Sequence, residues 1–114
     1  MSAWRSICPV DRLPVERGVA ALVDGEQVAV FRTVDGDLHA VSNHDPFSGA
    51  MVLSRGIVGS RGDRSTVASP VYKQVFDLTT GQCLDDAAVR LATHLVRVRD
   101  GVVEVALHAE ALTA

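Results

Sequence analysis

The chain has 114 residues, 47% of them hydrophobic and 22% charged, with a formal net charge of −3. That length supports one hydrophobic core, and this apolar content excludes a disordered chain. No apolar run reaches transmembrane length and the ten arginines are scattered, so neither a membrane span nor the basic footprint of a nucleic-acid binder is expected.

Met1 to Val10 lacks the basic start and long apolar run of a secretory signal, which predicts a cytoplasmic protein. Trp4 to Cys8 reads as a first strand. Val19–Val23, Gln27–Thr33 and Leu38–Ser42 read as a three-stranded meander, turning at Asp24-Gly25 and Asp35-Gly36, since Asp-Gly between apolar runs is a strong hairpin signal. Alternation places Val28, Val30 and Arg32 on one face of the middle strand and Ala29, Phe31 and Thr33 on the other. Gly56, Gly59 and Gly62, interspersed with Arg55, Arg61, Asp63 and Arg64, predict an exposed loop over Ser54–Ser65. Ala87–Ala92 and His108–Leu112 are too short to be stable helices and read as turns or single helical turns. Leu95–Arg99 and Val102–Leu107 form a last hairpin around Asp100-Gly101, with Arg97 and Arg99 opposite Val96 and Val98. The prediction is an all-β sandwich or barrel of small antiparallel sheets, one domain over residues 1–114.

Several chemistries find no support in the residues. Cys8 and Cys83 lie far apart, with no C-x-x-C or zinc spacing, and are expected to be reduced thiols. His39, His44, His94 and His108 lack metal-ligand spacing, and there is neither a Gly-x-Ser-x-Gly elbow nor a phosphate-binding glycine loop.

Two segments carry a pattern that periodicity does not explain. The first is Asp45-Pro46-Phe47-Ser48-Gly49-Ala50; the second runs Ser69-Pro70-Val71-Tyr72-Lys73-Gln74-Val75-Phe76-Asp77-Leu78-Thr79-Thr80-Gly81. Together they resemble a Rieske iron-sulfur domain, whose loops carry Cys-Pro-His-x-Gly-Ala and Cys-Pro-x-His-Gly-x-x-Phe-Asp-x-x-Thr-Gly. Pro46, Gly49, Ala50, Pro70, Phe76, Asp77, Thr80 and Gly81 fall in step with that pattern. Asp45, Phe47, Ser69 and Tyr72 stand where the resemblance expects Cys, His, Cys and His, and Lys73 stands where it expects Gly. A Rieske centre needs two thiolates and two imidazoles, and none of the four replacements supplies either, so no cluster is expected. The resemblance implies that the two histidine positions approach each other, so the Phe47 and Tyr72 rings are expected to meet and fill the space. Asp45 and Ser69 are expected to hydrogen-bond loop N–H groups, or Tyr72 to donate to Asp45; alternatively, Asp45 merely caps a turn beside Pro46.

The replacements, with Leu53-Ser54-Arg55-Gly56-Ile57-Val58-Gly59 between the loops and Cys83-Leu84-Asp85-Asp86 after them, resemble the small subunit of assimilatory NAD(P)H-dependent nitrite reductase over nearly the whole chain. That resemblance implies a subunit without cofactor of its own, inactive alone. It would dock on and stabilise or regulate a large subunit that carries FAD, siroheme and an iron-sulfur cluster and reduces nitrite to ammonia. Loops 43–50 and 69–75 at the former cluster site, with loop 54–65, are the expected docking surface, and Arg55, Arg61, Arg64 and Lys73 the candidate contacts. The alternatives are a redox module with an atypical metal at His44, Asp45 and Tyr72, or a β-domain binding a small ligand between its loops.

Overall fold

Val28 and Val30 alternate with Ala29 and Phe31 along one strand, and all four side chains are fully buried. Such a strand must have a hydrophobic layer on each face, and the topology supplies both. The computed structural model describes residues 4–107 and contains nine strands among them. β1 (Arg5–Pro9), β2 (Gly18–Val23), β3 (Glu26–Arg32), β4 (Leu38–Ser42), β8 (Thr93–Arg99) and β9 (Val102–Ala106) form an antiparallel sheet in the order β1-β9-β8-β4-β3-β2. The sheet curls into a nearly closed barrel, and Arg5 Nε on β1 reaches Asp24 Oδ1 in the β2–β3 turn at 2.9 Å, joining its two edges. Val28, Val30, Ala40, Val103, Val105, Leu13 and Leu107 fill the interior.

A second sheet, β5 (Ile57–Arg61), β6 (Arg64–Ala68) and β7 (Val75–Asp77), covers the barrel wall from outside. Between them lies a second core of Ala29, Phe31 and Val41 from the barrel with Leu53, Val67, Phe76, Leu78, Cys83 and Leu91. Each fully buried Val, Leu or Phe contributes about 1.5–3 kcal/mol relative to exposure, so the small sheet is held on mainly by apolar packing.

The expected meander and final hairpin are present within a residue or two of their predicted bounds. Asp24 and Gly25 (φ 47° and 86°) and Asp100 and Gly101 (φ 53° and 77°) both have two consecutive left-handed residues, as a two-residue hairpin turn requires. Asp35-Gly36 lies in a longer connection, where Gly36 N donates to Thr33 O (2.9 Å) and Thr33 N to Asp37 O (2.9 Å). Over Ala87–Ala92 the expected turn is present at Ala87-Ala88, and Gln82 Nε2 donates to the carbonyls of Asp86, Ala87 and Val89 around it. His108–Leu112 lies outside the described residues.

The expected loop over Ser54–Ser65 is exposed over most of its length, but it is not a loop. A 3-10 turn over Leu53–Arg55 leads into the β5–β6 hairpin, and only Gly62-Asp63 turns. Two of its glycines serve close packing and strand continuity instead. A Cβ on Gly56 would sit 2.5 Å from the Ala68 carbonyl oxygen, while Gly59 pairs with Thr66 inside the ladder.

Candidate functional site

The two loops that interrupt the pattern share one backbone geometry. In the first, Asp45 N donates to Ala50 O (2.9 Å) and Gly49 N donates back to Asp45 O (2.8 Å); in the second, Ser69 N donates to Gln74 O (2.9 Å) and Lys73 N to Ser69 O (3.1 Å). Each opening side chain accepts from the N–H two residues on, Phe47 N to Asp45 Oδ1 at 3.0 Å and Val71 N to Ser69 Oγ at 3.2 Å. The fifth residue of each is left-handed, Gly49 at φ 78° and Lys73 at φ 67°. Asp77 begins a third copy: its N–H donates to Gln82 O (2.8 Å), Gly81 N donates to Asp77 O (2.7 Å), and Thr79 N donates to Asp77 Oδ1 (2.8 Å).

The first two loops are joined through their opening side chains. Ser69 Oγ donates to Asp45 Oδ2 at 2.6 Å, and Ser48 Oγ donates to the same oxygen at 2.9 Å. Asp45 and Ser69 are both 0% exposed, so this is a water-excluded, charge-assisted bond. Burial pushes the Asp45 carboxyl pKa up, but the bonds from Ser69, Phe47 and Ser48 outweigh it and hold the group below the ordinary carboxylate range. Asp45 thus bonds a loop N–H, as expected, and also receives the hydroxyl of the opposite loop.

The expected meeting of Phe47 and Tyr72 does not occur. Phe47 packs into the second core, its ring centroid 6.1 Å from that of Phe76 at an interplanar angle of 49°, whereas Tyr72 is 60% exposed. Phe47 is the third residue of its loop and Tyr72 the fourth of the other, so the position equivalent to Phe47 is Val71. Tyr72 makes no hydrogen bond to Asp45, whose two oxygens already receive three donors.

The four candidate contact cations fare differently. Arg64 Nη1 pairs with the buried Asp77 Oδ2 at 3.0 Å, Arg61 Nη1 lies 3.7 Å from Asp85 Oδ1, and Lys73 Nζ donates to the Pro70 carbonyl at 3.2 Å. Arg55, on the 3-10 turn, is exposed, and its guanidinium has no hydrogen-bond or ion-pair partner among the described residues. The motif reading did not single out Asn43, which is 1% exposed and fixes the approach to the first loop. Its Nδ2 donates to Met51 O (3.2 Å), its Oδ1 accepts from Ser54 N (2.7 Å), and its backbone carbonyl accepts from Leu53 N (3.1 Å). An Asn just after a strand, two residues before the motif, was the available signal.

Comparison with known proteins places this geometry. The family of Rieske-like [2Fe-2S] domains matches residues 3–106. The nitrite reductase (NADH) small subunit of Escherichia coli K12 is 44% identical over 105 residues, covering 91% of this chain and 97% of the relative. The chain belongs to the nitrite reductase small-subunit family of Rieske-like domains. A solved structure assigned as an NADH-dependent nitrite reductase small subunit of Mycobacterium tuberculosis superposes with a TM-score of 0.90 at 52% identity, covering 93% of this chain and 96% of the other. A nitrite reductase [NAD(P)H] large subunit of Klebsiella oxytoca is 37% identical over 100 residues, covering 88% of this chain but only 10% of the relative.

The residues of this Rieske-like domain do not fit the cluster that names the family. The four ligand positions hold one carboxylate, one hydroxyl, a phenyl ring packed on Phe76 and a phenol turned to the surface. The carboxylate and the hydroxyl are bonded to each other across the gap. Among the described residues no group of three or more His, Cys, Asp or Glu is placed to hold a metal ion. His44 and Tyr72 are exposed while Asp45 is fully buried, which argues against the atypical site considered for those three. Among the described residues no helix is long and apolar enough to cross a membrane.

Proposed function

We propose that this chain is the non-catalytic accessory subunit of an NAD(P)H-dependent nitrite reductase, acting in the cytoplasm by docking on the large subunit and stabilising or regulating it. The observation that carries the reading is the 2.6 Å bond from Ser69 to Asp45. It holds the two former cluster loops in place without metal, while Val71 and Tyr72, 45% and 60% exposed, stand at the surface of the second. The family relation to nitrite reductase small subunits supports the partner. So does the Klebsiella oxytoca large subunit, in which a segment like this chain and a much longer remainder share one polypeptide. FAD, siroheme and an iron-sulfur cluster belong, in this reading, to the large subunit. The docking surface comprises loops 43–50 and 69–75 and the β5–β6 hairpin, with Arg55, Arg61, Arg64 and Lys73 as contacts.

Large subunit purified alone, then supplemented with this chain, tests the proposal. The expected result is a stable complex and a gain in nitrite turnover or in the thermal stability of the large subunit. No complex in size-exclusion chromatography at micromolar concentrations, or nitrite reduction by this chain alone, would overturn it.

A further inference from the structure

A groove of about 350 Å³ runs between the start of β2 and the 3-10 turn, lined by Arg17, Arg55, Ser54, Ile57, Val58 and one carboxylate, Glu16, with Gly18 and Gly56. Its floor is fixed by glycines. A Cβ on Gly18 would collide with the Ser54 carbonyl oxygen and lie 2.7 Å from Phe31 Cε1, so β2 and the turn are pressed backbone to backbone, and Gly56 stands equally close to Ala68. The rim is therefore held at a set width by the core beneath it.

The charges on that rim are unspent. Arg5, Arg61, Arg64 and Arg97 pair with acids, and Arg32 and Arg90 donate to carbonyls. Arg12, Arg17, Arg55 and Arg99 have no such partner among the described residues. Arg12 and Arg99 lie on elements that meet where Val10 N bonds Gly101 O, at the β8–β9 turn; Arg17 and Arg55 share this groove. Glu16, beside Arg17, is held left-handed at φ 65°, and its N–H donates to Arg32 O (2.7 Å). The same rim exposes an apolar side chain, Ile57 at 65%. Two guanidiniums unpaired among the described residues, against one carboxylate and beside apolar Ile57, complement a segment that carries carboxylates and an apolar residue, and a guanidinium fork binds a carboxylate bidentately. The groove also continues the expected docking surface: Arg55 follows the first loop, and Ile57 pairs with Ala68, the residue before Ser69.

We infer that this groove receives an acidic segment of the large subunit, with Arg17 and Arg55 each taking one carboxylate and Ile57 an apolar side chain. This rests on the accessory-subunit reading and adds to it a residue, Arg17, and a partner chemistry. Affinity for the purified large subunit is measured by calorimetry at two salt concentrations. The proteins are wild type, the reversal pair Arg17→Glu with Arg55→Glu, the milder pair Arg17→Gln with Arg55→Gln, and the charge-matched control Arg12→Glu with Arg99→Glu. Truncating partners of desolvated ion pairs raises Kd by about 30-fold or more, which is expected for the reversal pair, with about tenfold for the glutamine pair and less than about threefold for the control. Wild-type affinity should fall with salt, and that of the groove variants much less. Equal weakening by groove and control variants, or wild-type affinity in a groove variant, would overturn the groove assignment while leaving the complex intact. Absence of binding by the wild type would instead overturn the accessory-subunit reading, and this inference with it.

Discussion

The loop at 45–50 and the loop at 69–74 have the same internal hydrogen bonds, yet one closes the core and the other faces outward. Asp45 and Ser69 open them equivalently, and their side chains bond to each other. The aromatics then part company: Phe47, third in its loop, packs against Phe76, and Tyr72, fourth in the other, is exposed. The left-handed corner is a glycine in the first loop and a lysine in the second, so only the second carries the steric cost of a Cβ at positive φ. The first loop is built for stability. The second gives up some of it to present Val71, Tyr72 and Lys73.

Five substitutions and a titration would break or sharpen that contrast. The bond that joins the loops comes first. Asp45→Ala strands the buried Ser69 hydroxyl, the half-buried Ser48 hydroxyl and the Phe47 N–H, and should lower unfolding free energy by about 3 kcal/mol in urea melts. A loss below about 1 kcal/mol would mean that packing alone holds the loops. Next, Phe47→Ala should cost about 2 kcal/mol, while Tyr72→Ala should stay within about 0.5 kcal/mol; equal costs would erase the difference between the loops. The corners follow. Gly49→Ala should lose about 1 kcal/mol from conformation alone, since a Cβ there meets nothing within 4 Å, and Lys73→Gly should gain about 0.5 kcal/mol.

The smallest effect is that of pH. The Asp45 carboxyl is held below its unfolded range, so it contributes stability above about pH 4 that disappears as pH falls through its folded pKa. Urea midpoints measured from pH 6 downward should therefore fall more steeply for wild type than for Asp45→Asn. Parallel curves would show that the carboxylate titrates alike in both states.

The barrel was legible because its strands follow simple rules. Asp-Gly marked the turns at 24–25 and 100–101, and alternation placed Val28 and Val30 opposite Ala29 and Phe31. The β5–β6 hairpin was not legible, because Gly56 and Gly59 punctuate a sequence as loops do, and their reasons for being glycine, close backbone approach and a place in the ladder, are tertiary. The scaffold of the site was read from Pro46, Gly49, Pro70 and Gly81, and the absence of thiolates and imidazoles followed from residue identity. Where the rings point was not accessible, since two histidines converge on a metal they both bind, and nothing in a Phe and a Tyr at those positions requires the same convergence. The groove was half visible: Arg55 was singled out, but Arg17 lies 38 residues away in sequence and only the fold brings it across.

Lys73 has a practical consequence. It is the chain's one lysine, exposed and beside Tyr72 on the outward-facing loop. Apart from the terminal amine, an amine-reactive fluorophore or cross-linker has a single side chain to attack, and it lies on the surface expected to meet the large subunit. The native sequence therefore comes with a site-specific handle for measuring proximity, with no engineered cysteine and no disturbance of the buried Cys83 thiol.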